Sequence, residues 1–154
     1  MSGSMTIERF SIDTGILIHA ADNTAGAKHE RAVALLHAAA AADCLLTVQS
    51  LAEFHHAVTR RGGMPAKAAT ALVEDWLVQF PIAVAEAGEL SAAAKQVARY
   101  RFGFWDALLL ETVRAAGCRI LLSEDFQHGR DYAGVLVLDP LRRPVPARLQ
   151  PLFA

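Results

Sequence analysis

This sequence has only two cysteines, no long apolar run and almost no excess of charge of one sign. Its two cysteines, Cys44 and Cys118, each begin an apolar run typical of a buried strand. Two isolated thiols indicate neither a disulfide framework nor a zinc cluster, which suits a reducing cytoplasm. No apolar run reaches the roughly 18 residues that span a bilayer, and no basic stretch leads into an apolar one at the N-terminus. We therefore expect a cytoplasmic protein without a membrane segment.

The formal net charge is −1, so total charge alone gives no support for nucleic-acid binding. The basic residues are uneven, however, with 12 Arg and 3 Lys. Arginine binds phosphate through a two-pronged fork that lysine cannot copy. An alanine-rich, arginine-rich base composition explains the same bias without any function.

The composition is that of a folded protein, with 53% hydrophobic and 20% charged residues in 154 positions. This balance argues against disorder, and the length fits one well-buried core. The segment Met1–Ser4 ahead of Met5 resembles a cloning remnant. We therefore expect a single domain over residues 5–154.

Short β-rich runs alternate with longer Ala- and Leu-rich helical runs. The predicted strands are Phe10–Ile12, Cys44–Val48, Ile82–Val84, Arg119–Ser123 and Val135–Leu138. Helices are predicted over residues 14–21, 27–42, 50–61, 66–78, 88–100 and 105–116, and a proline-rich tail is expected to wrap the surface. This alternation predicts an α/β protein whose parallel sheet is covered on both faces.

Four acidic residues fall where these elements join. Asp13 and Asp125 follow predicted strands, whereas Glu53 and Asp106 lie in the first turns of predicted helices. In parallel sheets such positions meet at the carboxyl edge of the strands, where ligands bind. Carboxylates gathered there repel each other, raise one another's pKa and favour a bound cation. The pattern predicts a divalent-metal site, whose usual chemistry is phosphodiester hydrolysis.

Each acid also has a local explanation. Asp13 can cap the helix after it, and Ser50 with Glu53 has the spacing of a capping box. Asp106 suits the positive end of a helix dipole, and Asp125 suits a turn. These explanations do not predict why all four acids share one edge of one sheet.

The segments around the acids resemble the PIN-domain nucleases, and most of all the VapC-type toxins of bacterial toxin–antitoxin pairs. The matching segments are Ser11–Gly15, Ser50–Phe54, Phe104–Leu109 and Leu121–Phe126. The resemblance implies a three-layer α/β/α fold around a mostly parallel sheet of four or five strands. It also implies an endoribonuclease that uses Mg²⁺ or Mn²⁺, forms a homodimer and is held inactive by a cognate antitoxin protein.

The resemblance assigns the metal and the catalysis to Asp13, Glu53, Asp106 and Asp125. We expect Asp13 and Asp106 to be direct ligands and the other two to bind directly or through water. Thr14 and Ser123 match the hydroxyl residues beside the first and last acids, and they are candidates to bind the substrate. Because the family spacing is hydroxyl-x-Asp, we favour Asp125 over Glu124 at the last position.

Residues outside the four acids give weaker signals. Arg99 and Arg101 are candidates for RNA phosphates, and the nearby Phe104 and Trp105 suit either base stacking or core packing. His55 or His56 is a candidate proton carrier beside Glu53.

Two other functional classes are alternatives to a toxin nuclease. One is a PIN-domain RNA-processing nuclease or RNA-binding protein outside any toxin–antitoxin system, although a complete set of four acids argues against an inactive binder. The other is a phospho-acceptor domain. A receiver domain requires a lysine near its last strand, which is missing, and a haloacid-dehalogenase-like phosphatase requires Asp where Gly15 stands.

Overall fold

A mostly parallel sheet forms the middle of the molecule. The computed structural model describes residues 6–101 and 103–153, so the suggested remnant Met1–Ser4 lies outside the described residues. The strands are β1 (Phe10–Ile12), β2 (Cys44–Thr47), β3 (Ile82–Ala83), β4 (Ile120–Leu122), β5 (Asp131–Tyr132) and β6 (Val135–Leu138). Their order is β3-β2-β1-β4-β6-β5, and only β5 runs antiparallel to its neighbour. The predicted α/β class is confirmed.

Helices cover both faces of this sheet. They are α1 (Thr14–Ala21), α2 (Ala27–Ala40), α3 (Val48–Arg60), α4 (Ala66–Gln79), α5 (Ala87–Tyr100) and α6 (Phe104–Ala115), followed by a 3₁₀ helix (Ala147–Phe153). The first four helices pack on one face, and α6 packs on the other with α5 against it. Among the described residues, no helix has the length and apolar character to cross a membrane.

Alternate residues of the central strands enter the two cores. Leu46 and Leu122 point into the core beneath α1–α4, whereas Leu45 and Leu121 point toward α6. Strands buried on both faces need apolar residues at every position, which explains why their sequences show no polar alternation.

Two elements were not predicted from the sequence. The sheet has six strands, one more than the upper limit expected, because the two-residue β5 folds back on β6 through a turn at positive-φ Ala133 and Gly134. The tail also forms the 3₁₀ helix, which buries Leu149 and packs on α2. Such short elements carry too few residues for hydrophobic periodicity to reveal them.

Helix α3 begins earlier than the sequence indicated. Its N-cap is Thr47, whose hydroxyl accepts a hydrogen bond from the Ser50 N–H (3.0 Å). The capping-box interpretation of Ser50 and Glu53 was therefore wrong, and Glu53 lies in the second turn of α3 rather than the first. Its carboxylate has no capping role and is free to face the carboxyl edge of the sheet.

Strands β1 and β4 end side by side at this edge. Ile12 is in register with Leu122, and the Asp13 N–H donates to the Leu122 carbonyl (2.9 Å). Ser123 then donates its N–H to the Leu138 carbonyl of β6 (3.0 Å). The residues that follow β1, β4 and β6 therefore lie side by side at the carboxyl edge of the sheet.

Candidate metal centre

Asp13 lies at the floor of the acidic site and is only 7% exposed. Its Oδ1 accepts the Thr14 N–H (2.8 Å), which makes Asp13 the N-cap of α1, as its local explanation predicted. Its Oδ2 accepts the Ser123 hydroxyl hydrogen (2.8 Å). The buried carboxylate is therefore held in one orientation by a helix start on one side and a strand end on the other.

Glu53 reaches the same place from α3. Its Oε2 lies 3.2 Å from the Thr14 hydroxyl, which also lies 3.1 Å from the Ser50 carbonyl. Its Oε1 accepts a hydrogen bond from Gln49 Nε2 (2.9 Å), and the same amide donates to the Trp105 carbonyl (2.9 Å). Gln49 thereby links the Glu53 carboxylate to the start of α6, one residue before Asp106.

Asp106 and Asp125 stand at the exposed rim of the site. Asp106 lies in the first turn of α6, where the Gly103 backbone approaches it closely: a Cβ built on Gly103 would lie 3.4 Å from Asp106 Oδ2. Asp125 lies over the backbone of α1, since a Cβ on Gly15 would be 3.5 Å from Asp125 Oδ2. Its N–H donates to the Ser123 hydroxyl (3.1 Å), which fixes the loop after β4.

The four carboxylates interact electrostatically. The pKa of Asp13 is raised to about 6, chiefly by burial and also by the charges of Asp125 and Glu53, against the opposing hydrogen bonds from Ser123 and Thr14. Burial also raises the pKa of Asp106, again with contributions from Glu53 and Asp125. Both directions agree with the expectation that carboxylates gathered at this edge raise one another's pKa. The folding has gathered like charges from four elements.

The donor set suits a hard divalent cation. All four groups offer carboxylate oxygens, the ligands that Mg²⁺ and Mn²⁺ prefer. Among residues 6–101 and 103–153, no Lys, Arg or His forms an ion pair with any of the four. Within the same residues no group of three or more His, Cys, Asp or Glu side chains is arranged closely enough to hold a metal ion. An open arrangement with water ligands is the usual state of protein-bound Mg²⁺.

Glu124, the alternative to Asp125, is engaged elsewhere. Its Oε1 contacts His19 Nε2, and its Oε2 accepts from Lys28 Nζ (3.1 Å). Although burial raises the pKa of Glu124, the bonds from His19 and Lys28 outweigh it and lower that pKa below its ordinary value. The geometry therefore favours Asp125 as the residue that faces the other acids.

The two hydroxyl residues lie inside the acidic site, whereas the two arginines lie outside it. Thr14 and Ser123 are buried and bonded to carboxylates, so their hydroxyls orient acids, and contact with substrate stays a prediction for both. Arg99 stacks over the Tyr100 ring (5.1 Å). Arg101 caps α5 at φ +55°, two residues before Gly103, and therefore lies near the rim.

The aromatic candidates Phe104 and Trp105 lie near the acids, whereas His55 points elsewhere. Trp105 is 63% exposed, so it is not a core anchor, whereas Phe104 is half-buried and packs edge-on against the Trp105 ring. An apolar groove of about 530 Å³ between α3, β3 and α6 has Val48, Val84 and Trp105 in its wall and borders Glu53. His55 bonds to Thr70 of α4 (3.1 Å), which turns it away from the acids.

Three residues that orient the site were missed by sequence reasoning. Gln49 is one helical turn before Glu53, a spacing that brings side chains together, and this signal was present but unused. His19 and Lys28 reach Glu124 from the other end of the chain. No local pattern indicates such long-range contacts.

Comparisons with known proteins agree with this architecture. A family model described as "PIN domain" matches residues 11–131. A comparison with curated protein sequences gives no match. Among solved structures, VapC20 of Mycobacterium tuberculosis, described as a sarcin-ricin loop cleaving toxin, has a TM-score of 0.59 at 20% identity over 73% of this chain and 86% of that one.

Two complexes are similar in the same way. DNA-bound VapBC from Salmonella typhimurium gives a TM-score of 0.61 at 14% identity, covering 86% of this chain and 97% of that one. FitAcB from Neisseria gonorrhoeae gives 0.59 at 17% identity, covering 85% and 97%. Because these identities are 20% or lower, the structures support the fold alone. The family model, in contrast, covers most of the sequence. The chain therefore belongs to the PIN-domain family.

Proposed function

We propose that this protein is a Mg²⁺- or Mn²⁺-dependent endoribonuclease and the toxin of a type II toxin–antitoxin system. The observation that carries the proposal is the group of four carboxylates, Asp13, Glu53, Asp106 and Asp125, on one edge of the sheet. No cation among the described residues neutralises them, and burial with mutual repulsion raises the pKa of Asp13 to about 6. A bound divalent ion relieves that repulsion.

The residues divide into ligands and residues that hold the ligands. Asp13 and Asp106 are the direct ligands, and Glu53 and Asp125 bind directly or through water. When bound, the ion lowers the pKa of an attacking water and offsets charge on the phosphate. The water gives up a proton to solvent and its oxygen bonds to phosphorus, while the bond from phosphorus to the ribose oxygen breaks and that oxygen takes up a proton.

The remaining residues keep the carboxylates in place. Ser123 holds Asp13 Oδ2, while Thr14 and Gln49 hold the two oxygens of Glu53. Such outer hydrogen bonds fix the orientation of metal ligands. Arg99 and Arg101, at the end of α5, contact RNA phosphates beside the rim.

The partner is a cognate antitoxin that covers the acidic pocket in the cytoplasm. Support comes from the similar structures, since VapC20 is described as a toxin and two others are VapBC complexes bound to DNA. An acidic pocket is best covered by a basic side chain of the partner, because an Arg or Lys replaces the charge of the metal ion.

A second copy of the chain covers the apolar groove. Val84 and Trp105 are 60% and 63% exposed there, and Val48 lies beside them. Exposed apolar side chains grouped in this way are typical of an interaction surface. Light scattering is expected to give a dimer for the wild type and a monomer for Val84→Asp. A wild-type monomer at micromolar concentration would exclude the homodimer.

Cleavage of RNA tests the enzymatic proposal. Total RNA is incubated with wild type in Mg²⁺, in Mn²⁺ and in EDTA, beside Asp13→Asn and Asp106→Asn prepared in parallel. We expect cleavage only with metal, and a loss on the order of 100-fold or more in either variant. Asp75→Asn, an exposed acid of α4 without an ion pair among the described residues, is the matched control and should retain full activity.

Cleavage that persists in EDTA, or in both site variants, would overturn the mechanism. A nuclease outside a toxin–antitoxin system remains the alternative. The neighbouring reading frame separates the two, since a small upstream gene for a DNA-binding protein is expected for a toxin and not for an RNA-processing enzyme.

A further inference from the structure

A basic groove lies on the molecule beside the acidic site, and the proposed mechanism does not use it. It encloses about 500 Å³, and its wall contains His128, Arg142 and Arg143 together with the tail prolines Pro144 and Pro146. Both arginines are exposed. Among the residues that the structure describes, neither forms an ion pair with a carboxylate.

The groove begins at the carboxyl edge that carries the acids. Leu138, the last residue of β6, accepts the N–H of Ser123, whose hydroxyl in turn holds Asp13. The first residue after β6, Asp139, donates its N–H to His128 Nδ1 (2.9 Å). His128 follows Asp125 by three residues, so their Cα atoms are at most about 11 Å apart. An RNA strand bound at the acids therefore needs only a few further nucleotides to reach the His128 end of the groove.

The side chains in the groove are set for an anion. Arg143 Nη1 donates to the Pro140 and Arg142 carbonyls (3.3 and 3.0 Å), which anchors the guanidinium and leaves its Nε and Nη2 donors for a ligand. His128 accepts at Nδ1, so its neutral ring carries hydrogen on Nε2, a further donor. Arg31 of α2 adds a nearby positive charge and donates to the Leu141 carbonyl (3.0 Å). The one acid on this turn, Asp139, accepts the Leu141 N–H (2.9 Å).

We propose that this groove, through Arg142, Arg143 and His128, binds backbone phosphates of single-stranded RNA next to the scissile phosphate. The inference rests on the proposed ribonuclease function. A net charge of −1 and four clustered acids give RNA no general attraction, so a local basic surface must hold the flanking chain. Arginine suits this role because its fork matches two phosphate oxygens. The contact is to the backbone and supplies affinity without base selection.

The test is the salt dependence of RNA binding. A fluorescein-labelled single-stranded RNA of mixed sequence is titrated with protein in Ca²⁺ between 50 and 200 mM salt, and its integrity is checked after each titration. Arg142→Ala/Arg143→Ala is expected to weaken binding about 10-fold and to reduce the slope of log K against log salt by about 1.4, since each single-strand contact contributes about 0.7. Arg142→Lys/Arg143→Lys keeps the charges and should restore the slope.

The matched control is Arg60→Ala/Arg61→Ala. This pair is also exposed and without ion pairs among the described residues, but it lies at the far end of α3, about 20 Å along the helix from the carboxyl edge. The control should bind RNA as the wild type does. In cleavage assays the groove variant should show a raised KM and an unchanged kcat.

Two results would overturn the inference: an unchanged slope in the groove variant, or an equal loss in the Arg60/Arg61 control. Failure of the proposed function looks different, because the wild type would then neither bind RNA nor cleave it with Mg²⁺. Circular dichroism melting of every variant excludes unfolding as the cause, and the expected melting temperatures are those of the wild type.

Discussion

Removing the charge of Asp13 should stabilise the metal-free protein at neutral pH. In the folded state burial raises the pKa of this carboxyl from 3.8 to about 6, so the folded protein binds the proton more tightly than the unfolded chain does. The stabilisation is complete below pH 4 and is lost as pH rises through about 6. A difference of about 2.2 units corresponds to about 3 kcal/mol.

Asp13→Asn isolates this contribution because the amide has nearly the shape of the protonated acid. Its oxygen can accept the Thr14 N–H, and its NH₂ can donate to Ser123. In EDTA, the free energy of unfolding of Asp13→Asn minus that of the wild type should rise by about 2 kcal/mol from pH 4.5 to pH 7.5, because about 1 kcal/mol of the total is already lost at pH 4.5. For a chain of this size the melting temperatures should diverge by roughly 4–8 °C.

The assay is urea or thermal denaturation followed by circular dichroism at closely spaced pH values. Asp75→Asn, an exposed acid, should show a difference that does not change with pH. Saturating Mg²⁺ at pH 7.5 should reverse the order, because it stabilises only a protein that binds it. A difference between Asp13→Asn and wild type that stays within about 0.5 kcal/mol over this pH range would refute the reasoning.

Three further substitutions have distinct expected effects. Ser123→Ala removes the hydrogen bond that lowers the pKa of Asp13, so the acid limb of the cleavage–pH profile should move up by roughly one pH unit. Gln49→Ala leaves Glu53 Oε1 without its donor and should lower metal affinity about 10-fold, as isothermal calorimetry with Mn²⁺ would show; unchanged affinity would contradict it. Phe54→Ala empties a fully buried position and should cost about 3–5 kcal/mol in urea denaturation.

Most of the sheet was predictable because strong local signals agreed with one another. Strands β1, β2, β4 and β6 are continuous apolar runs bounded by turn or cap residues, and each was placed within one or two residues of its observed bounds. The helices between them showed clear periodicity or clear ends. Consistent signals of this kind favour one topology, the alternating parallel sheet.

The misplaced start of α3 shows where local patterns compete. Thr47 and Ser50 are both good N-cap residues, and the Glu three residues after Ser50 favours a helix start at Ser50. The helix nevertheless begins after Thr47, because Thr47 ends β2 and its hydroxyl bonds to both the N–H and the hydroxyl of Ser50. The β5–β6 hairpin was missed for a different reason, since Asp131 and Tyr132 have no apolar pattern and pair only because β6 is already in place.

For the candidate site, sequence order predicted the shared edge but not the contacts on it. Asp13 and Asp125 follow neighbouring strands, so their approach follows from topology. Glu124 is engaged by His19 of α1 and Lys28 of α2, whereas Asp125 has no such partner among the described residues. Such pairing is a product of helix packing and is not encoded in the local sequence.

Mn²⁺ binding and RNA cleavage measured together in one titration test the metal centre most directly. Electron paramagnetic resonance reports free Mn²⁺ while a gel reports cleavage in the same samples. We expect the two curves to coincide in the wild type, and both to be lost in Asp106→Asn and kept in Asp75→Asn. Cleavage without bound Mn²⁺, or unchanged Mn²⁺ affinity in Asp106→Asn, would contradict the account.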